Sequence, residues 1–232
     1  MICSMENVLE ELYKHIDVHY QEFNTHIVAT KQNVLGVRMG KLRKIAHALA
    51  RDEKALRVYA QADKEDVYEL VMLEGLALSY KKAPFCTMWQ SWEAYFTKVD
   101  SWAQIDSPIA SLSFTDKGDR DCAWRMACAW CKSQNEFTAR AGLVILLVHF
   151  MERERLEEIF TISAHVKNSA RYVVLANAWL LSVAMAKFPR ETITFLRKNV
   201  LDARTRNLAI QKSRESLRVS MQDKAELALL RQ

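Results

Sequence analysis

The sequence predicts an all-α fold, an α-α superhelix of antiparallel helix pairs, and three observations carry that prediction. The 232 residues include only 5 glycines and 3 prolines. A strand-rich sandwich or barrel turns about every ten residues and spends both residue types on its turns. Apolar residues recur at i, i+3, i+4 and i+7 through most of the chain, and strict alternation is rare. The polar breaks between these runs are short. Half of the residues are hydrophobic and 26% are charged, the balance of a chain that folds and buries a core, not of a disordered one.

Taken in order, Val8, Leu9, Leu12, Ile16, Val18 and Tyr20 read as a first amphipathic helix, followed by Leu42, Ile45, Ala46 and Leu49. Val67, Leu70, Val71, Leu73, Leu76, Ala77 and Tyr80 form the next run, then Met88, Trp92, Tyr95, Phe96 and Val99. Helical spans follow at 122–130, 141–150, 156–162, 173–186 and 193–200. Segments 63–66, 81–84, 115–118 and 188–191 carry Gly, Pro, Asp or Lys in stop-and-restart patterns. Asn168-Ser169 is placed to cap the helix that starts near Ala170. From Asp66 onward the helices are spaced by roughly 15–20 residues, and pairs at a period of about 35–45 residues are the sequence form of a HEAT- or armadillo-like repeat solenoid. A compact helical bundle is the competing architecture. Spans 141–150 and 173–186 are apolar on nearly every face, as helices buried on both sides must be. A single domain over 1–232 is expected.

Several function classes are excluded. The longest charge-free apolar stretch, 172–186, has 15 residues and contains Asn177 and Ser182, whereas a membrane span takes about 20. Acids at Glu6, Glu10 and Glu11 argue against a signal or transit peptide. A cytoplasmic location follows as the expectation, with all five cysteines reduced. Cys128 and Cys131 make a lone CxxC with only Cys122 near, and read as small apolar residues on a helix. His15 and His19 stand four apart, a metal-compatible spacing on a helix, without an evident third ligand. No metal and no cofactor is expected.

Charge is uneven. Residues 187–218 hold nine Lys/Arg and three Asp/Glu, a surplus of +6, while the whole chain nets +5. That surplus is either a solvated helical face or a surface for phosphates. In segment 99–108, Trp102 and Asp106 are four apart and share a face on a helix. A carboxylate against an aromatic wall can stabilise a cation in a partly dry site. Asp106 before Ser107-Pro108 also suits a helix N-cap, with proline in the first turn.

The chain resembles the AlkD-like DNA alkylation repair family, DNA glycosylases built from HEAT-like repeats. The resemblance runs from about Leu35 to the C-terminus on blocks in order: Leu35-Gly36-Val37-Arg38 with Lys41-Leu42-Arg43-Lys44-Ile45, then Ser101-Trp102-Ala103-Gln104-Ile105-Asp106-Ser107, then Phe137-Thr138-Ala139-Arg140-Ala141-Gly142, then Ala176-Asn177-Ala178-Trp179-Leu180-Leu181. The stretch 205–212 is similar to the family's closing segment. The resemblance implies that Asp106, Trp102, Arg140 and Trp179 form the active cleft. With the local charge it puts Arg38, Lys41, Arg43, Lys44, Arg204, Arg206, Lys212 and Arg214 on DNA. Ile27 falls where such enzymes can carry an aromatic; His26, Phe23 or Tyr20 could substitute.

What the resemblance implies for function is base excision repair: hydrolysis of the N-glycosidic bond of cationic N3- or N7-alkylated purines, such as 3-methyladenine and 7-methylguanine, in duplex DNA. A concave basic surface would hold the duplex by its backbone, the enzyme acting as a monomer on the bacterial nucleoid. Two other readings stand beside it. One is a non-catalytic protein of the same fold that binds bent or branched DNA. The other is a protein-binding solenoid scaffold.

Overall fold

The computed structural model describes residues 5–64 and 66–231. Cys3, and Glu65 in the stop signal at 63–66, lie outside them. Fourteen α-helices and one 3₁₀ turn account for the regular structure of the described residues, which include no strand beyond two isolated bridges. The chain divides into two units, Met1–Cys122 and Ala123–Gln232. The first holds α1 (Met5–Tyr13), α2 (Val18–Val28), α3 (Met39–Ala50), α4 (Glu53–Gln61), α5 (Tyr68–Tyr80), α6 (Phe85–Phe96) and α7 (Trp102–Ala110). Helix α8 (Lys117–Trp130) runs from one unit into the other. The second continues with α9 (Glu136–His149), α10 (Leu156–His165), α11 (Arg171–Lys187), α12 (Pro189–Arg197), α13 (Ala203–Glu215) and α14 (Met221–Ala228).

Alternate helices stack side by side within each unit, α3 on α5 on α7 and α9 on α11 on α13, the layering of α-α helical repeats. The middle helix of each layer is the most buried. Every residue of α5 from Tyr68 to Ser79 is buried, and so are Val173, Ala176, Ala178, Leu180 and Leu181 of α11. Helix α9 is buried from Ala139 to Leu147. The all-round apolar character of spans 141–150 and 173–186 therefore has its expected cause.

Helix α5 buries two carboxylates, and each is answered locally. Glu69 accepts from three successive backbone amides, Leu35 N (2.9 Å), Gly36 N (2.8 Å) and Val37 N (3.2 Å). Burial raises its carboxyl pKa, and the three amides oppose that shift. Gly36 makes the loop possible: its φ is +87°, and a Cβ there would stand 2.5 Å from Gln21 Cβ. Glu74, 1% exposed, lies between Lys64 Nζ at 3.3 Å and Lys98 Nζ at 2.6 Å. Both ammonium groups also donate to the end of α4, Lys64 to Tyr59 O and Ala62 O and Lys98 to Ala60 O. One buried carboxylate thus supports two cations that satisfy the open carbonyls of a helix C-terminus.

The structure corrects four sequence expectations. The apolar run from Val8 to Tyr20 is two helices. Ile16 bridges Val37 between them, and Asp17 starts α2 by accepting from Tyr20 N. His15 and His19 thereby fall on different elements, and His15 Nε2 sits 3.1 Å from Glu11 Oε1. Asp106 is not an N-cap. Helix α7 begins at Trp102, with Ser101 Oγ accepting from Ala103 N, so Asp106 lies inside it. Pro108 is also inside, and the carbonyl it leaves without a helical donor, Gln104 O, accepts from the Tyr95 hydroxyl at 2.5 Å. The start of α11 is not capped by Asn168 alone. Asn168 Oδ1 accepts from Ala170 N, while Tyr172 N donates to Glu136 Oε1 of α9 at 2.7 Å. Finally, Cys86 and Cys122 are joined as a disulfide. Their Cα atoms are 5.9 Å apart, within the reach such a bond requires, whereas the expectation of reduced thiols rested on compartment alone.

The CxxC follows from packing. Burial pushes the thiols of Cys128 and Cys131 up, Cys131 far above the ordinary range. Cys131 sits where α8 and α9 approach closely: a Cβ on Gly142 would stand 2.6 Å from Ala127 O and 2.7 Å from Cys131 N. The contacts are to backbone, which cannot step aside cheaply. Gly142→Ala is expected to destabilise the protein by about 1–3 kcal/mol, read as a drop in denaturant midpoint. An unchanged midpoint would mean the two helices are free to move apart.

Candidate active site

In the first unit the site residues are set by how α7 begins. The preceding loop is fastened to the end of α2 at three points. Ser101 Oγ donates to Val28 O, Trp102 Nε1 donates to Ile27 O at 3.2 Å, and the Asp100 carboxylate accepts from Thr30 Oγ1 and from Lys31 N. Ala29, at φ 49°, ends α2 in the left-handed conformation and turns the chain toward these contacts. The indole of Trp102 is consequently oriented by a backbone carbonyl. Ile105 and Ile109 hold α7 in the core at 0% and 1% exposure, and Trp102 and Asp106 sit half-buried on another side of the helix, one turn apart.

Helix α2 borders Trp102. Ile27 contributes its carbonyl to Trp102 while its side chain is exposed, and Phe23, one turn earlier, is 62% exposed. Tyr20 is half-buried beneath the Arg38 guanidinium, 5.1 Å from the ring centroid. Arg38 also forms a two-bond pair with Asp17, at 2.9 and 2.7 Å. The Tyr20 amide first, then Arg38, holds the Asp17 carboxyl below its usual range. Lys41, Arg43 and Lys44 are exposed on α3, and Arg43 Nη1 donates to Tyr80 Oη and Ser111 Oγ, both at 3.0 Å.

In the second unit, Trp179 is half-buried and lines a groove of about 410 Å³ with Val183, Lys187, Lys212, Glu215 and Arg218. One aromatic surface and three cations against one acid suit an anion carrying a planar or apolar group. Arg140 is placed differently. It is 5% exposed, and its Nη1 donates to Tyr172 O at 2.8 Å. Glu136, one turn earlier on α9, accepts from Tyr172 N, so the two side chains clasp both polar backbone atoms of one residue. Arg140 thereby fixes the entry of α11, two turns ahead of Trp179.

Of the cations the sequence assigned to DNA in this unit, Arg204 and Arg214 are exposed and Lys212 opens into the Trp179 groove. Arg206 turns inward: it is 5% exposed, with Nε donating to Leu196 O at 3.2 Å near the end of α12. It serves a helix terminus, because the side of α13 that carries it also carries the buried Thr205, Ala209 and Ile210. Sequence reasoning did not single out Lys187 and Arg218, which line the groove. Both lay within the basic segment, but only the packing of α11 on α13 reveals that they meet.

Stacked helical repeats, with an indole–carboxylate pair in the first unit and a cation-lined aromatic groove in the second, define a helical-repeat protein. The chain belongs to the DNA alkylation repair enzyme family, whose model matches residues 8–218. Its role lies in DNA alkylation repair. No curated protein and no solved structure matches the chain.

Proposed function

We propose that the protein is a DNA glycosylase that removes cationic N3- and N7-alkylated purines from duplex DNA. The observation that carries this reading is the pairing of Trp102 and Asp106 one turn apart on α7, with the indole fixed by Ile27 O. An N3- or N7-alkylated purine is already positive. Its glycosidic bond breaks with the electron pair returning to the base, which departs neutral and needs no acid. The deoxyribose then develops oxocarbenium character at C1′. Asp106 stabilises that charge and orients a water, whose oxygen bonds to C1′ as its proton passes to the carboxylate. Trp102 offers a π face to the sugar and the cationic base, worth about 0.5–2 kcal/mol. Arg140 contributes by ordering the start of α11 and adding positive potential. Arg38, Lys41, Arg43, Lys44, Arg204, Lys212 and Arg214 serve the phosphates, so sequence preference is weak. Protein side chains supply every role, and a monomer suffices.

The test is release of 7-methylguanine from methylated duplex DNA by the purified protein, which must be seen for this reading to stand. Duplex affinity should fall with salt along a log–log slope steeper than about −3, from roughly −0.9 per phosphate neutralised. A flat response in a filter-binding titration would favour the scaffold reading. Non-catalytic DNA binding is favoured by one observation, the aliphatic Ile27 exposed beside Trp102. DNA binding without base release would establish it.

A further inference from the structure

We propose that the turn between α13 and α14 carries a wedge that enters a base step of bound DNA, with Leu217 as the inserted side chain. The inference rests on the reading above that the protein works on duplex DNA. Leu217 is 99% exposed, the most exposed large hydrophobic among the described residues, and Met221 just beyond it is 79% exposed. A solitary exposed leucine on a loose loop would be ordinary. This one stands on a turn held from both ends. Ser216 N donates to Lys212 O and Ser213 O, Arg218 N donates to Ser216 Oγ at 3.2 Å, and Val219 is buried at 6%. Ser220 then caps α14, accepting from Asp223 N while its hydroxyl donates to Asp223 Oδ2. The apolar tip is preorganised, so little conformational entropy opposes its insertion.

Charge identifies the occupant. Arg214 and Arg218 flank the leucine and are exposed, and Arg218 lines the Trp179 groove together with Lys187 and Lys212. An apolar point between arginines matches a stacked, apolar base step bordered by phosphates. Leucine and methionine are among the side chains that DNA-binding proteins insert to unstack a step and kink the duplex. Unstacking a step beside the Trp179 groove would loosen the neighbouring nucleotide and lower the cost of bringing its sugar to the tryptophan.

The experiment uses the full chain and short undamaged duplexes carrying 2-aminopurine at successive positions, since the fluorescence of this base rises when it unstacks. Wild-type binding should raise the signal severalfold at some register. Leu217→Ala should return it to that of the free duplex and weaken binding by about tenfold, the loss expected for one buried leucine. The salt slope should not change, because the phosphate contacts remain. Leu217→Met should restore the signal. Leu217 packs against nothing in the core at 99% exposure, and a thermal melt checks that each variant stays folded. Duplex binding without any rise in fluorescence, or a rise that survives in Leu217→Ala, removes the wedge and leaves the DNA reading intact. Absence of duplex binding at low salt overturns the DNA reading and the wedge with it.

Discussion

Asp106→Asn should cut single-turnover release of 7-methylguanine by about 100-fold or more, the scale of losing one directed electrostatic stabiliser. Asparagine keeps the shape and removes the charge proposed to answer the oxocarbenium-like sugar. Binding to lesion-bearing DNA should be unchanged or slightly tighter, since a carboxylate repels nearby phosphates. The loss should be smallest for lesions whose glycosidic bond is weakest. Because Asp106 lies within α7 and Ser101 is the cap, the substitution takes nothing from the helix terminus. Rapid-quench release by both proteins, with a duplex titration of each, is the measurement. Equal rates would remove Asp106 from the chemistry.

Glu74→Ala should cost about 3–5 kcal/mol of stability, because it strands Lys64 in the core without a counter-charge. Lys64 is 6% exposed, and its ammonium also supports Tyr59 O and Ala62 O at the end of α4. Urea unfolding of both proteins measures the loss, and a difference below about 1 kcal/mol would show that the lysines find other partners. The pH dependence separates charge from packing. Burial holds the Lys64 pKa below the ordinary lysine value, and Glu74 pulls it back up. Without Glu74 it falls further. A folded-state pKa below the unfolded one means that the unfolded chain binds more protons between the two, so stability rises with pH there. The deficit of the variant should therefore narrow as pH rises from neutrality toward the lysine range. A pure packing defect would be flat.

Much of this was legible in the sequence, and the exceptions have physical reasons. Helices that bury a broad face announced themselves: α5, α9 and α11 show as dense apolar runs. Helix α4 did not, because it buries only Leu56 and Tyr59, nor did α14, which buries Leu227 alone. The N-terminal run from Val8 to Tyr20 kept a helical rhythm across a break, since Ile16 and Val18 are apolar yet exposed. At the candidate site, the spacing of Trp102 and Asp106 was visible and their common helix followed. The cap was misread because Ser107-Pro108 is a better local start signal than Ser101, and only the Tyr95 hydroxyl, supplied by α6, makes the internal proline tolerable. Arg206 illustrates the limit of counting charges. A basic segment reports how many cations are near, and packing decides which of them turn inward.

The seat of Glu69 has a consequence for lineage. The Leu35-Gly36-Val37 block is an amide cradle for a buried carboxylate 33 residues away from Gly36. A side chain at position 36 would collide with Gln21 and force the left-handed turn open, emptying the cradle. Loss of the carboxylate would leave three amides without acceptors. Drift at either position is therefore tied to the other through the fold, whatever becomes of the chemistry. A descendant without the proposed excision chemistry would be free to lose Asp106 long before it could lose that glycine. The block is thus a mark of ancestry, and the turn of α7 bearing Trp102 and Asp106 is where loss of the proposed chemistry would first be written.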